Sequence, residues 1–181
     1  MNNAAGNFLC PFENLSLNGF NTVMMIDTFG TFLLSKYVSK YGLKKGGTII
    51  NITAEIPNSG TLLLTHAGAA KAGVNAMTKH LAVELGPRGI RVIGICPGAI
   101  EATEGYDRLS IKKDNSLAEI IPMQRLGNAQ DIANCAVFLC SGAASYITGQ
   151  TIRVNGGSDL TSRNFPLQIE SIRKNYARPR L

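Results

Sequence analysis

Three short apolar runs stand out along the chain, at residues 48–53 (TIINIT), 90–96 (IRVIGIC) and 150–155 (QTIRVN). Each is rich in β-branched residues, too short for a helix and bounded by Gly or Pro, as strands buried on both faces are. Between them the apolar positions recur at steps of three and four, which predicts helices over 16–41, 66–85 and 129–140. Strands alternating with helices predict a doubly wound parallel α/β sheet in a single domain. The core is expected over about 1–157, with a basic tail over 158–181 where Arg163, Arg173, Lys174, Arg178 and Arg180 outnumber Glu170.

In such sheets ligands sit beyond the carboxyl ends of the strands, where helix N-termini and loops converge. Two of those ends are Thr53-Ala54 and Pro97-Gly98, and the opening Asn2-Asn3-Ala4-Ala5-Gly6 reads as the end of an earlier strand turning into a loop. All three should face one cleft.

Several residues there break local rules. The stripe of the first helix runs Phe20, Val23, Met24, Asp27, Thr31, Leu34 and Val38, so a carboxylate interrupts an apolar face. Its burial is costly unless it is paired, hydrogen-bonded or protonated, and it is either satisfied by a neighbouring backbone group or Lys, or is an acid in a cleft. The second helix opens His66-Ala67-Gly68-Ala69-Ala70-Lys71-Ala72-Gly73 and continues with a stripe of Val74, Met77, Leu81 and Leu85. Its glycines are poor helix formers, which points to close approach by another backbone or a ligand. Lys71, the one long side chain in that stretch, is either a snorkelling lysine or a donor to sugar hydroxyls. His66 is a candidate acid or base by type, and equally a helix-entry residue. After Cys96 the Pro97-Gly98 turn throws the chain out of the sheet and frees backbone groups to hold a flat polar ring.

Composition narrows the class. The 181 residues carry a net charge of +6 with 45% hydrophobic residues, which describes a globular domain rather than a disordered or cystine-stapled chain. Cys10, Cys96, Cys135 and Cys140 form no C-x-x-C pair and the two histidines do not cluster, so no metal site is expected and the cysteines read as small core residues. No apolar run approaches the ~18 residues of a membrane span. Nothing resembles an aromatic-interleaved nucleic-acid surface.

The strings NNAAG, NITA, HAGAAK and PGAI, in this order and spacing, resemble the short-chain dehydrogenase/reductase family over Asn2 to Gly157. The stretches NAAGNFLCP, HAGAAKAGVNAMTKHLAVELGP, TEG followed by Arg108-Leu109, and PMQRLG are similar to one branch of it, whose members use NADPH to reduce 2,4-dienoyl-CoA to a 3-enoyl-CoA in peroxisomal β-oxidation. The resemblance implies a Rossmann-like fold lacking its first βαβαβ portion, and commonly a homo-oligomer. It implies catalysis by Asp27 and Lys71, which position a proton-delivering water. It implies NADPH held by Asn3, Gly6, Thr53, Lys71, Pro97, Gly98, Ala99, Ile100 and Thr103, and an acyl-CoA partner lying against Phe8, Ser16, Leu17, Asn18 and Arg108.

Two departures qualify it. The tyrosine that most of the family carries four residues before the lysine is here Ala67, which argues against simple alcohol oxidation. No two glycines are separated by a single residue, so the glycine-rich turn that brings a helix N-terminus to a pyrophosphate is not in this sequence. The readings that follow are a dienoyl thioester reductase, a non-catalytic reductase fold acting as an oligomer partner, or a reductase of another acyl thioester.

Overall fold

The structure, a computed structural model, describes residues 1–44, 46–109 and 116–161. Three parallel strands, β1 (Gly47–Ile52), β2 (Ile90–Pro97) and β3 (Thr151–Val154), lie in that order, in register at Asn51, Gly94 and Thr151. On the free side of β1, Asn2 adds a parallel bridge to Asn51, with its N–H on the Ile50 carbonyl at 2.7 Å and its own carbonyl accepting from Ile52 at 2.9 Å. The opening residues are thus the end of a strand, as their composition suggested.

The helices are α1 (Leu17–Met24), α2 (Gly30–Tyr37), α3 (Ile56–Ser59), α4 (Thr65–Leu85), α5 (Glu104–Leu109), α6 (Ser116–Ile120), α7 (Ala129–Cys140) and α8 (Ser158–Thr161). Helix α4 covers one face of the sheet, where Ile49, Ile90 and Val92 meet Ala82 and Leu85. Helix α7 covers the other, where Ile50, Ile93 and Ile95 meet Leu139 and Ala144. Alternate residues of the same strand feed the two cores, which is why the strand runs read as continuously apolar. Each buried isoleucine contributes about 1.5–3 kcal/mol of transfer free energy. Asn128 and Asp131 close a reciprocal capping box at the start of α7. Among the described residues no helix is long and apolar enough to cross a membrane.

Four expectations need correction. Two π turns, Met25–Phe29 and Val38–Gly42, interrupt the first helical segment. The buried residues become Val23, Asp27, Thr31, Ser35 and Ser39, at steps of four, while Leu34 and Val38 are exposed. Steps of four drift by about 40° each on an α-helix, and a π turn, by absorbing one residue, rotates the face back by about 100°. On α4 the buried stripe is Ala67, Ala70, Lys71, Val74, Thr78, Ala82 and Leu85, with Met77 and Leu81 only partly covered, because small residues let the helix sit closer to its neighbours. Of the cysteines only Cys96 is buried, and Cys140 is exposed at the end of α7. The start of the expected tail forms α8, whose Thr161 hydroxyl donates to the Ile120 carbonyl at 2.8 Å; the remainder of the expected basic tail lies outside the described residues.

Candidate active site

The π turn carries Asp27 into the space between the opening loop and α4, where it is 1% exposed. Lys71, on the second turn of α4, is 8% exposed and brings Nζ to 3.2 Å from Asp27 Oδ2. The same ammonium donates to the Ile52 carbonyl at the end of β1, at 3.0 Å. The Gly6 N–H donates to Asp27 Oδ1 at 2.8 Å. Thr28, next to Asp27, donates its hydroxyl to the Ala70 carbonyl at 3.0 Å, next to Lys71, so the π turn and α4 are pinned beside the ion pair. Removing two such charges from water costs several kcal/mol per ion, which close pairing and these backbone bonds offset. Lys71 has three N–H donors, of which these contacts use two.

Thr53 follows directly, buried at 3%, with its N–H and hydroxyl both on the Ile95 carbonyl at 2.8 and 3.3 Å. That joins the ends of β1 and β2. Beyond Pro97, the Gly98 N–H donates to the Val154 carbonyl at 3.0 Å, and a Cβ at Gly98 would lie 2.8 Å from Asn155 Cα, so only glycine fits. The Ala99 carbonyl accepts from Gly127 N–H at 3.0 Å. The Ile100 carbonyl accepts from the Thr103 hydroxyl at 2.7 Å, and that oxygen accepts in turn from Tyr106 N–H at 3.2 Å, capping α5. Ala102 in this loop has φ 54°, a left-handed backbone that non-glycine residues rarely hold. The expected hydroxyl donor of Thr103 is therefore engaged within its own loop, and Asn3 is exposed in the opening loop.

Of the expected acyl-path residues, Phe8 is 38% exposed and stacks on His66, with ring centroids 4.3 Å apart. Ser16 caps α1, accepting from the Gly19 N–H at 3.0 Å, and Leu17 and Asn18 are exposed beside it, ahead of the π turn. Arg108 sits on α5, its side chain outside the described residues.

Sequence reasoning missed a second charged cluster at the carboxyl ends of the strands, toward β3. Arg153 bridges Glu55 at 2.9 Å and Asp159 at 3.1 Å, Asn155 donates to Asp159 at 2.6 Å, and the Cys96 thiol donates to Glu55 at 3.1 Å. Burial, then the bond to Glu55 and its charge, push the Cys96 thiol up to about 12. No local pattern announces this cluster, since its members come from four separate segments.

A family model described as Enoyl-(Acyl carrier protein) reductase matches residues 1–159. The chain is 50% identical over 167 residues to the peroxisomal 2,4-dienoyl-CoA reductase [(3E)-enoyl-CoA-producing] of Danio rerio, covering 91% of this chain and 56% of the relative. It spans about half the length of the curated relatives it matches. A short chain dehydrogenase from Bacillus anthracis superposes with a TM-score of 0.77 at 44% identity, over 89% of this chain and 64% of that one. A 7 alpha-hydroxysteroid dehydrogenase complexed with NADH and 7-oxo glycochenodeoxycholic acid superposes with a TM-score of 0.79 at 35% identity, over 85% and 60% of the two chains.

Proposed function

The chain belongs to the short-chain dehydrogenase/reductase family, and from that premise and the buried Asp27–Lys71 pair we infer that it is the catalytic portion of an NADPH-dependent reductase converting 2,4-dienoyl-CoA to 3-enoyl-CoA. The observation that carries the reading is the ion pair itself, a carboxylate and an ammonium held dry between the opening loop and the end of β1, with no tyrosine at Ala67 to do acid–base work. The relative from Danio rerio, by its printed name, makes the same (3E)-enoyl product in the peroxisome, and we place this protein there too.

A nicotinamide cofactor fits the residues present. The uncommitted N–H of Lys71 suits ribose hydroxyls, and the Pro97–Gly98 turn, closed by the backbone bond to Val154, offers a rim to a flat amide-bearing ring. Thr53 braces that rim. The cofactor, when bound, supplies a hydride to the far end of the diene. The protein's part is then to manage charge and protons. Lys71 lends positive charge near the oxygen on which the electrons collect. Asp27, held by Gly6 and Lys71, orients a water that delivers a proton to the carbon next to the thioester. The sum is one hydride and one proton added, and the double bond moves to the 3 position. Phe8, Ser16, Leu17 and Asn18 line the acyl-CoA path and Arg108 meets the coenzyme.

The test is NADPH titration followed by nicotinamide fluorescence, then turnover of 2,4-hexadienoyl-CoA followed by loss of nicotinamide absorbance. Micromolar cofactor binding with turnover upholds the reading; no binding at millimolar cofactor overturns it.

A second reading is favoured by one observation. The first helical segment exposes Met25, Phe29, Phe32, Leu33, Tyr37 and Tyr41, an apolar face that suits pairing with another subunit. A homo-oligomer is compatible with the enzyme. Assembly without cofactor binding points instead to a non-catalytic partner, and sedimentation alongside the titration separates the two.

A further inference from the structure

His66 is fully buried, and neither imidazole nitrogen has a hydrogen-bond partner. Burying a polar ring in this way costs stability, and among the described residues no other buried side-chain nitrogen or oxygen is left without a partner. The opening loop is fastened over this ring. Leu63, three residues earlier, takes φ 64°, and its carbonyl accepts from Cys10 N–H at 3.0 Å, which fastens the opening loop over the start of α4. Phe8 from that loop lies nearly flat on the imidazole, 24° from parallel, while remaining partly exposed itself. A strained backbone turn and a partly exposed aromatic cover thus lie beside an unused donor, next to the Phe8 of the path assigned above to the acyl group. Ala67, the next residue, carries no polar group.

We propose that His66 is a thioester-binding residue, whose imidazole N–H donates to the acyl carbonyl oxygen once the Phe8 ring turns aside for the substrate. This inference rests on the acyl-thioester reading of the preceding subsection. The acyl portion of a dienoyl thioester offers one strong hydrogen-bond acceptor, that carbonyl, so an imidazole donor that meets it has one group there to serve. Hydride addition to the far end of the diene moves negative charge onto that oxygen, so the bond strengthens as the reaction proceeds. The imidazole keeps its proton throughout; the proton added to carbon comes through Asp27 and Lys71.

The experiment compares the parent chain with His66→Leu and His66→Gln. Its readouts are thermal unfolding, calorimetric affinity for 2,4-hexadienoyl-CoA, and the infrared carbonyl band of the same thioester labelled with ¹³C at the carbonyl. A ligand-directed imidazole predicts that His66→Leu unfolds at the same or a higher temperature, since an unsatisfied polar ring is removed. It should also bind about tenfold more weakly, as loss of one hydrogen bond implies, and lose the downward shift of the labelled band. His66→Gln, which restores an N–H, should return affinity to within about threefold of the parent. Undiminished affinity in His66→Leu with an unmoved band overturns the proposal and leaves the reductase reading standing. So does weaker binding with the band unchanged, which would assign the donor to a pantetheine amide, or weaker binding that merely tracks a lower unfolding temperature. Absence of dienoyl-CoA binding in the parent chain overturns the substrate reading and this inference with it.

Discussion

Two charged clusters sit at the carboxyl ends of the strands, one by β1 and one by β3, and use the same kinds of side chain. Asp27 and Lys71 are dry: side-chain exposures of 2% and 10%, one ion pair, and backbone groups of Gly6 and Ile52 completing the shell. Glu55, Arg153 and Asp159 are wet: Arg153 is 49% exposed, the carboxylates 19% and 18%, and Asn155 and Cys96 offer further bonds. The wet cluster is redundant, since Arg153 meets two carboxylates and half of its side chain faces solvent. In the dry pair each charge depends on the other, since bulk solvent hardly reaches either one to compensate. The first pair is expensive to bury and so is held by exact partners, whereas the second ties loops together at little cost.

The contrast can be broken most severely at the dry pair. Asp27→Ala leaves a buried ammonium without its counter-charge and should cost about 3–5 kcal/mol, with loss of dienoyl-CoA turnover; chemical denaturation and the turnover assay check both. Lys71→Met should behave alike. The double variant Asp27→Leu/Lys71→Met should regain most of the stability and none of the activity, which separates folding from chemistry. Arg153→Met, at the wet cluster, should cost no more than about 1 kcal/mol because half of that side chain already faces water, and a loss near that of Asp27→Ala would erase the distinction.

Smaller effects sharpen it. Arg125 grips Asp131 through two bonds, at 2.7 and 2.9 Å, and with the Asn128 N–H holds that carboxyl down at about 2. A depressed carboxyl stabilises the fold fully above its unfolded value of 3.8 and ceases to do so as pH falls through about 2. Asp131→Asn should therefore shrink the loss of stability across that acid window, as read by unfolding at stepped pH. The slightest effect concerns thiols. At about pH 8 a maleimide should label exposed Cys140 in the native protein and spare Cys96, whose buried thiol stays protonated beside Glu55; mass spectrometry after digestion distinguishes them.

Much of this was readable from spacing. The strand runs, the three helical stretches and the strand end at Asn2 follow from periodicity and punctuation, because burial on two faces and helical amphipathicity leave local marks. Asp27 and Lys71 were legible as violations, a charge within an apolar face and a lone long side chain among alanines. Burial of Ser35 and Ser39 in line with Thr31 was not legible, because only a π turn makes residues spaced by fours face one way. The bond from Asn2 to the Ser35 hydroxyl at 3.0 Å shows what that face is for: it meets backbone and polar edges, and the greasy side of the helix is turned outward.

Residue order along the chain therefore determined the layers, the strand ends and the two charges that attract attention. Three-dimensional contact alone decided that those charges touch, that Gly6 and Ile52 complete them, that Glu55 finds Arg153 nearly a hundred residues away, and that His66 lies covered and unpartnered under Phe8. The reason is physical. Periodicity records which face of an element avoids water, a local property, whereas the partner of a buried polar group is whatever the packing of distant segments brings within hydrogen-bond reach.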